Sequence, residues 1–264
     1  MNVRWPSRLA WGGAILGLLL SLLLFAPARW LANVINSASA DHIQLVNTRG
    51  TVWHGQADLM FTGGQGSQTR TTLPQGVQWR LSPTLVSWVP AMALQLNAPC
   101  CTVQPMALTA RPGMGGAEVR LAAFSSHWPA ELLTGLGTPW NTLRMQGQLS
   151  LRTDGLTLRW DRGRSSLQGA MAVEAQDLVS RLSTLRPLGS YRMDIRADAD
   201  GNTTILALQT LRGRLQLQGQ GQWVGGRLRF QGVAEAAPDS EAALNNLLNI
   251  IGRRQGPRSL LNIG

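Results

Sequence analysis

The three histidines and two cysteines are the side chains of this 264-residue chain with the widest range of chemistry. His42, His54 and His127 occur in unrelated contexts, so spacing pairs none of them with a serine nucleophile or an orienting acid. The chain has neither a Gly-x-Ser-x-Gly motif nor a glycine-rich phosphate loop that leads into a helix. The sequence therefore predicts a protein that is not an enzyme and has no catalytic residues.

The two cysteines, Cys100 and Cys101, are adjacent, and no histidine stands at a metal-ligand spacing from them or from another histidine. We therefore predict no metal site and no cofactor. Adjacent residues of a strand point to opposite faces, so a disulfide between these two would need a strained local backbone. The sequence favours a pair of buried small apolar residues and leaves their redox state open.

The formal net charge of +10 comes from arginine alone, since the chain contains no lysine. The 24 arginines alternate with apolar residues along apparent strands and do not cluster with aromatic residues. This pattern is typical of a solvated strand face, and it argues against nucleic acid as a partner.

The first thirty residues predict a membrane anchor. Arg4 and Arg8 precede an uncharged apolar run over residues 9–26, close to the roughly 20 residues that a bilayer core requires. Since basic flanks stay in the cytoplasm, we expect residues 1–8 in the cytoplasm and residues 9–30 in the inner membrane. Residues 31–42 would then connect the anchor to a periplasmic domain, residues 43–264. Removal as a signal peptide after Ala28 or Ala40 stays open.

The fold class predicted for that domain is mainly β, a curved or rolled antiparallel sheet with one apolar and one polar face. Strong turn signals occur at residues 154–155, 200–201 and 225–226. Glycines inside strand patterns predict bulges or bends of the sheet. These glycines are Gly147, Gly169, Gly213, Gly219 and Gly221. The pattern leaves open whether the sheet closes.

Three helices are predicted besides the anchor. Ser82 and Pro83 resemble the start of a short helix over residues 82–88. A second short helix is expected over residues 129–136, ending at Gly137. The third lies near the C-terminus, where apolar residues recur at helical spacing, and it should pack over one mouth of the sheet before a terminal strand at residues 259–263. Its apolar positions are Leu244, Leu247, Leu248 and Ile251.

Two segments carry a resemblance to a known family, namely residues 50–57 (GTVWHGQA) and residues 247–257 (LLNIIGRRQGP). Together with the single N-terminal anchor and the chain length, they resemble the type II secretion system protein N family. The resemblance implies an inner-membrane protein with a periplasmic domain, in the machinery that exports folded proteins across the outer membrane. Its implied partners are the inner-membrane platform proteins and the secretin.

The resemblance brings no catalytic residues, so residues of these two segments are predicted as core or as partner contacts. They are Trp53, Gly55, Leu247, Ile251, Arg253 and Arg254. We expect Trp53 to fill a core site and Gly55 to make a turn. The family is also similar in its β-rich layout to AsmA-like proteins, which are associated with lipid handling. That similarity implies an alternative function, an apolar groove that shields lipid acyl chains.

Overall fold

The computed structural model describes residues 6–64, 69–113, 115–138, 140–162, 164–198, 203–224 and 227–264. The α-helices of these residues are α1 (Pro6–Leu24), α2 (Ala28–Ala38), α3 (Trp140–Leu143) and α4 (Glu241–Ile251), and a 3₁₀ helix spans Ala130–Leu136. The first eight strands are β1 (Ile43–Gly50), β2 (His54–Thr62), β3 (Arg70–Thr72), β4 (Val77–Val86), β5 (Val89–Asn97), β6 (Met106–Gly113), β7 (Gly116–Leu121) and β8 (Phe124–Pro129). The remaining strands are β9 (Gln146–Asp161), β10 (Arg164–Val179), β11 (Gly189–Ala197), β12 (Thr204–Gly213), β13 (Leu215–Val224), β14 (Arg227–Ala236), β15 (Arg253–Gln255) and β16 (Arg258–Ile263).

All sixteen strands form one antiparallel sheet, which confirms the predicted mainly β class. The strand order is β1-β2-β4-β5-β6-β7-β9-β10-β11-β12-β13-β14-β16-β15, with β3 beside β2 and β8 beside β9. The sheet is not closed, because β1 and β15 stand at opposite ends of this order. Most neighbours in this order are consecutive strands joined by short connections, which antiparallel pairing permits, while β2-β4, β7-β9 and β14-β16 each skip one strand.

The register gives the sheet one apolar face along its length. Five leucines lie side by side across β4, β5, β6, β7 and β9, namely Leu81, Leu94, Leu108, Leu121 and Leu156. Farther along, Val173 of β10 pairs with Met193, which pairs with Leu208. Because side chains alternate between faces, the intervening arginine and glutamine residues form the opposite, polar face.

Two clusters of buried residues lie along the sheet. The α4 core joins the inward stripe of α4 to β11, β13 and β14, and it includes Leu244, Leu247, Leu248, Leu188, Tyr191 and Leu215. The α2 core joins α2 to β1, β2 and β4, and it includes Ala28, Ala32, Leu45, Trp79 and Leu132. The 3₁₀ helix contributes Ala130 to the α4 core and Leu132 to the α2 core. This helix therefore touches both clusters.

The hairpin predicted at residues 154–155 is wrong, because β9 runs through both residues to Asp161. The first half of β9 pairs with β8 and the second half with β7, while β10 accompanies it along both halves. Gly155 has a φ of 132° at the point where the partner changes. Pairing with distant strands on both sides of β9 therefore outweighs the local turn signal. Gly155 instead allows an irregular backbone conformation within the strand.

The short helix predicted at residues 82–88 is also wrong, since β4 continues to Val86 and turns directly into β5. Ser87 and Trp88, with φ of 51° and 65°, form the two-residue turn. Pro83 lies beyond the part of β4 that pairs with β2, which is residues 77–80, so its missing N–H leaves that ladder intact.

Several other predictions are confirmed. The second short helix is the 3₁₀ helix, which ends at Gly137 with a φ of 82°. The C-terminal helix is α4, and the terminal strand is β16. Gly169 sits beside a register shift between β9 and β10, as expected of a bulge. The turns predicted at residues 200–201 and 225–226 lie outside the described residues.

The N-terminal segment consists of two helices separated by a break at residues 25–27. α1 ends at Leu24, and Trp30, predicted as the far end of the anchor, belongs to α2. Most large side chains of α1 from Trp11 onward are more than half exposed. Over the part of the chain that the structure describes, no helix combines the length and hydropathy of a membrane span.

Candidate interaction surfaces

The end of α1 is fixed to the turn between β1 and β2, which comprises residues 51–53. The indole Nε1 of Trp53 donates to the Leu23 carbonyl oxygen at 2.8 Å, and the Val52 backbone N–H donates to the Ala26 oxygen at 2.8 Å. Trp53 is half-buried and belongs to neither core cluster. Its contact with α1 therefore makes it a connecting residue between the helix and the sheet.

Trp79 occupies the core position that the sequence assigned to Trp53. It is 5% exposed in the α2 core, and its Nε1 donates to the Val52 oxygen at 3.0 Å. Gly55 lies in β2 opposite Trp79 rather than in the turn, and a Cβ on Gly55 would collide with the indole ring. The motif at residues 50–57 thus provides space for a tryptophan that lies outside it.

The second motif is divided between the core and the surface. Leu247 is 2% exposed in the α4 core and Ile251 packs against that cluster, while Arg253 is exposed. Arg254 pairs with Ser259 across β15 and β16. Arg254 Nη1 and Ser259 Oγ are buried without a hydrogen-bond partner among the described residues. Leu247 and Ile251 therefore stabilise the fold, and both arginines lie at the last edge of the sheet.

An open cleft of about 590 Å³ separates α4 from the loop at residues 181–186. Its polar lining comprises Arg181, Ser183, Thr184, Arg186 and Asn246. The Ser183 hydroxyl donates to the Ala243 oxygen at 3.1 Å, which ties the loop to α4. Among the described residues, neither arginine forms an ion pair, so the cleft presents two free guanidinium groups. Sequence periodicity could not reveal this cleft, because the loop has no regular pattern.

Cys100 and Cys101 form a disulfide with each other, which corrects the prediction of a buried apolar pair. They lie in the connection after β5, so the argument that adjacent strand residues point to opposite faces does not apply. Cys100 is exposed and Cys101 is 5% exposed in the α2 core. The Cys101 oxygen accepts from the His127 backbone N–H at 2.8 Å, which joins this connection to β8.

Three arginines surround Glu118 on the polar face. Arg111 Nη2 and Arg159 Nε lie 3.0 Å and 2.7 Å from the carboxylate oxygens, and Arg120 Nη2 lies at 3.5 Å. Arg111 and Arg159 are the residues paired with Glu118 on the neighbouring strands β6 and β9. Hydrogen bonds from Arg111 and then Arg159 lower the pKa of Glu118 to about 2. The cluster therefore links three strands.

We expect Glu118→Gln to lower the free energy of unfolding by about 2 kcal/mol at pH 7, because it removes the charge that the three arginines surround. Water screens the half-exposed arginines, which keeps the loss from being larger. The lowered pKa means that the carboxylate stabilises the fold above pH 4.5, and that this contribution is lost as the pH falls toward 2. Urea denaturation from pH 7 to pH 3 should show a smaller loss of stability in the variant than in the wild type. Equal losses would contradict this prediction.

Catalytic and metal-binding groups are not brought together in the described part of the chain. His127 contacts the Ser150 hydroxyl at 2.9 Å, and His42 contacts the Ser39 oxygen at 2.9 Å. Over the same residues, no group of three or more histidine, cysteine or acidic side chains could hold a metal ion.

The described part of the chain thus combines an open antiparallel sheet with an apolar face, a basic cleft and an exposed apolar helix. Residues 41–260 match the family model described as type II secretion system (T2SS), protein N. The match covers most of the chain, which therefore belongs to the T2SS protein N family and is a component of type II secretion. Searches of curated proteins and of solved structures each found no match.

Proposed function

We propose that this protein is a non-enzymatic inner-membrane component of type II secretion, held by α1 and placing its sheet in the periplasm. The secretion role is supported by membership of the T2SS protein N family. The anchor is supported by the exposed, uncharged apolar surface of α1 from Trp11 onward. Residues 11–24 of α1 carry no charged side chain, and this stretch is the part of the helix on which the proposed anchor rests.

The basic cleft supports a protein partner within the apparatus. The planar guanidinium groups of Arg181 and Arg186 together have ten N–H donors. Their geometry suits the carboxylates of an acidic segment. The neighbouring residues Ala242 and Ala243 of α4 leave room for such a segment to lie against the helix. The partners we propose are the inner-membrane platform proteins and the secretin.

The secretion role is tested by deleting the gene and measuring a secreted enzyme in the medium and in the periplasm. We expect the enzyme to accumulate in the periplasm and plasmid-borne wild type to restore its export. Reporters active only in the periplasm, fused after Ala40 and after Gly264, test the orientation. Normal export in the deletion strain would overturn the secretion role, and cytoplasmic reporter activity would overturn the topology.

We expect the charge reversal Arg181→Glu with Arg186→Glu to reduce export several-fold, because it would repel an acidic partner segment. The matched control is Arg152→Glu with Arg196→Glu, two exposed arginines of the polar face. Export in complemented deletion strains is the measurement, with protein levels checked by immunoblot. If both double variants export like the wild type, the cleft is not the docking site.

A second candidate function, lipid binding of the AsmA-like kind, is favoured by the apolar face. Its leucine row is continuous over five strands, and these side chains are half-exposed in an open sheet. Such a surface could shield acyl chains. Mass spectrometry of lipids extracted from the purified full chain tests this, together with outer-membrane lipid asymmetry in the deletion strain. Altered asymmetry with normal export would favour this candidate over the first.

A further inference from the structure

Three tryptophans lie at one end of the sheet, in a turn or close to the end of a strand. Trp88 is in the β4–β5 turn and is 92% exposed, while Trp160 and Trp223 are one residue from the ends of β9 and β13 and are 43% and 47% exposed. Their exposure is unusual, because tryptophan normally buries most of its large apolar surface. We refer to Trp88, Trp160 and Trp223 as the tryptophan rim.

The pairing register puts the rim at the end of the sheet where α1 is attached. Trp160 pairs with Ala117, near the β6–β7 turn, and Trp223 pairs with Thr204 at the start of β12. Arg80 of β4 pairs with His54, next to the β1–β2 turn, and β4 continues from there to Trp88. The same β1–β2 turn holds the end of α1 through Val52 and Trp53.

The opposite end of the strands is occupied differently. There the connections carry α3, α4 and the 3₁₀ helix, which cover part of the apolar face and contribute to the buried clusters. Helices thus pack at one end of the sheet, while the other end carries the three tryptophans of the rim, of which Trp88 is the most exposed. A surface that the fold does not cover, next to an exposed apolar helix, indicates an external apolar environment.

A lipid interface fits the chemistry of the rim better than a protein groove does. Tryptophan is enriched where membrane headgroups meet acyl chains, because its ring is apolar and its N–H remains hydrated. The three indoles lie on separate hairpins, so they suit a broad surface better than a single pocket. Exposed Arg227 at the start of β14 adds attraction to anionic headgroups.

We propose that the tryptophan rim lies in the headgroup region of the membrane that holds α1. The end of the sheet that carries the rim would then contact the bilayer. This rests on the proposed anchoring role of α1. Docking at two places, through α1 and through the rim, would fix the orientation of the sheet relative to the membrane. The basic cleft beside α4 would then face away from the bilayer.

The test uses the full chain in nanodiscs of phosphatidylethanolamine and phosphatidylglycerol, with or without phosphatidylcholine brominated near the headgroup. Bromine quenches indole fluorescence on contact. The fluorescence of Trp88 is obtained by subtracting the intensity of the Trp88→Phe variant from that of the wild type. We expect this difference to fall about twofold in brominated discs. Trp140→Phe, at the covered end and 37% exposed, is the matched control, and its difference should be unchanged.

Each outcome decides the proposal. If the chain enters the discs and the emission of Trp88 is equally bright with and without bromine, the rim does not touch lipid, and the anchor stands. If the chain fails to enter the discs, both the anchor and the rim proposal are overturned. Equal quenching of Trp88 and Trp140 would indicate nonspecific contact and would also overturn the rim proposal.

Discussion

Replacing Leu247 with alanine is expected to lower the free energy of unfolding by about 3–4 kcal/mol. Leu247 is 2% exposed between α4 and the sheet, where its side chain adjoins other buried leucines of the α4 core. Truncation removes buried methylene and methyl groups and leaves a cavity that the surrounding strands cannot fill. Urea denaturation followed by circular dichroism measures the change.

The control for Leu247→Ala is Ile250→Ala on the same helix. Ile250 is exposed, so its truncation should change the stability by no more than about 0.5 kcal/mol. Alanine also has a high helix propensity, so neither variant should weaken α4 itself. Similar losses in the two variants would mean that α4 does not pack with its leucine stripe toward the sheet.

Trp79→Ala should destabilise the protein by about 3–5 kcal/mol, since Trp79 is buried in the α2 core. Trp53→Ala should cost less, about 1–2 kcal/mol, because Trp53 is half-buried and its hydrogen bond joins only the end of α1. Thermal unfolding of both variants in detergent gives the comparison. A larger loss for Trp53 than for Trp79 would mean that Trp53, not Trp79, is the core residue.

The features that could be predicted from the sequence are those set by local periodicity. Alternation of apolar and polar residues gave the strands and the two faces, because the two-residue period holds in any antiparallel sheet. The leucine spacing around Leu247 likewise predicted α4 and the direction of its buried stripe. These features need no knowledge of which strand lies beside which.

The features that could not be predicted depend on distant partners. Asp154-Gly155 does not form the turn that its sequence predicts, because β9 continues through it while paired with β7, β8 and β10. Trp79 lies in an alternating strand pattern and Trp53 next to a turn, and the burial of Trp79 in the α2 core depends on the position of β4 beside β2. The cleft at Arg181 and Arg186 also arises from two segments about sixty residues apart.

The 3₁₀ helix has a consequence for how the protein unfolds. Ala130 is buried in one cluster and Leu132 in the other, so neither cluster can lose its packing without disturbing the same seven-residue segment. Cooperativity between parts of a fold grows when they share buried contacts. Two hydrophobic cores that could have melted as separate units should therefore melt in a single transition, with coinciding midpoints for probes placed in each.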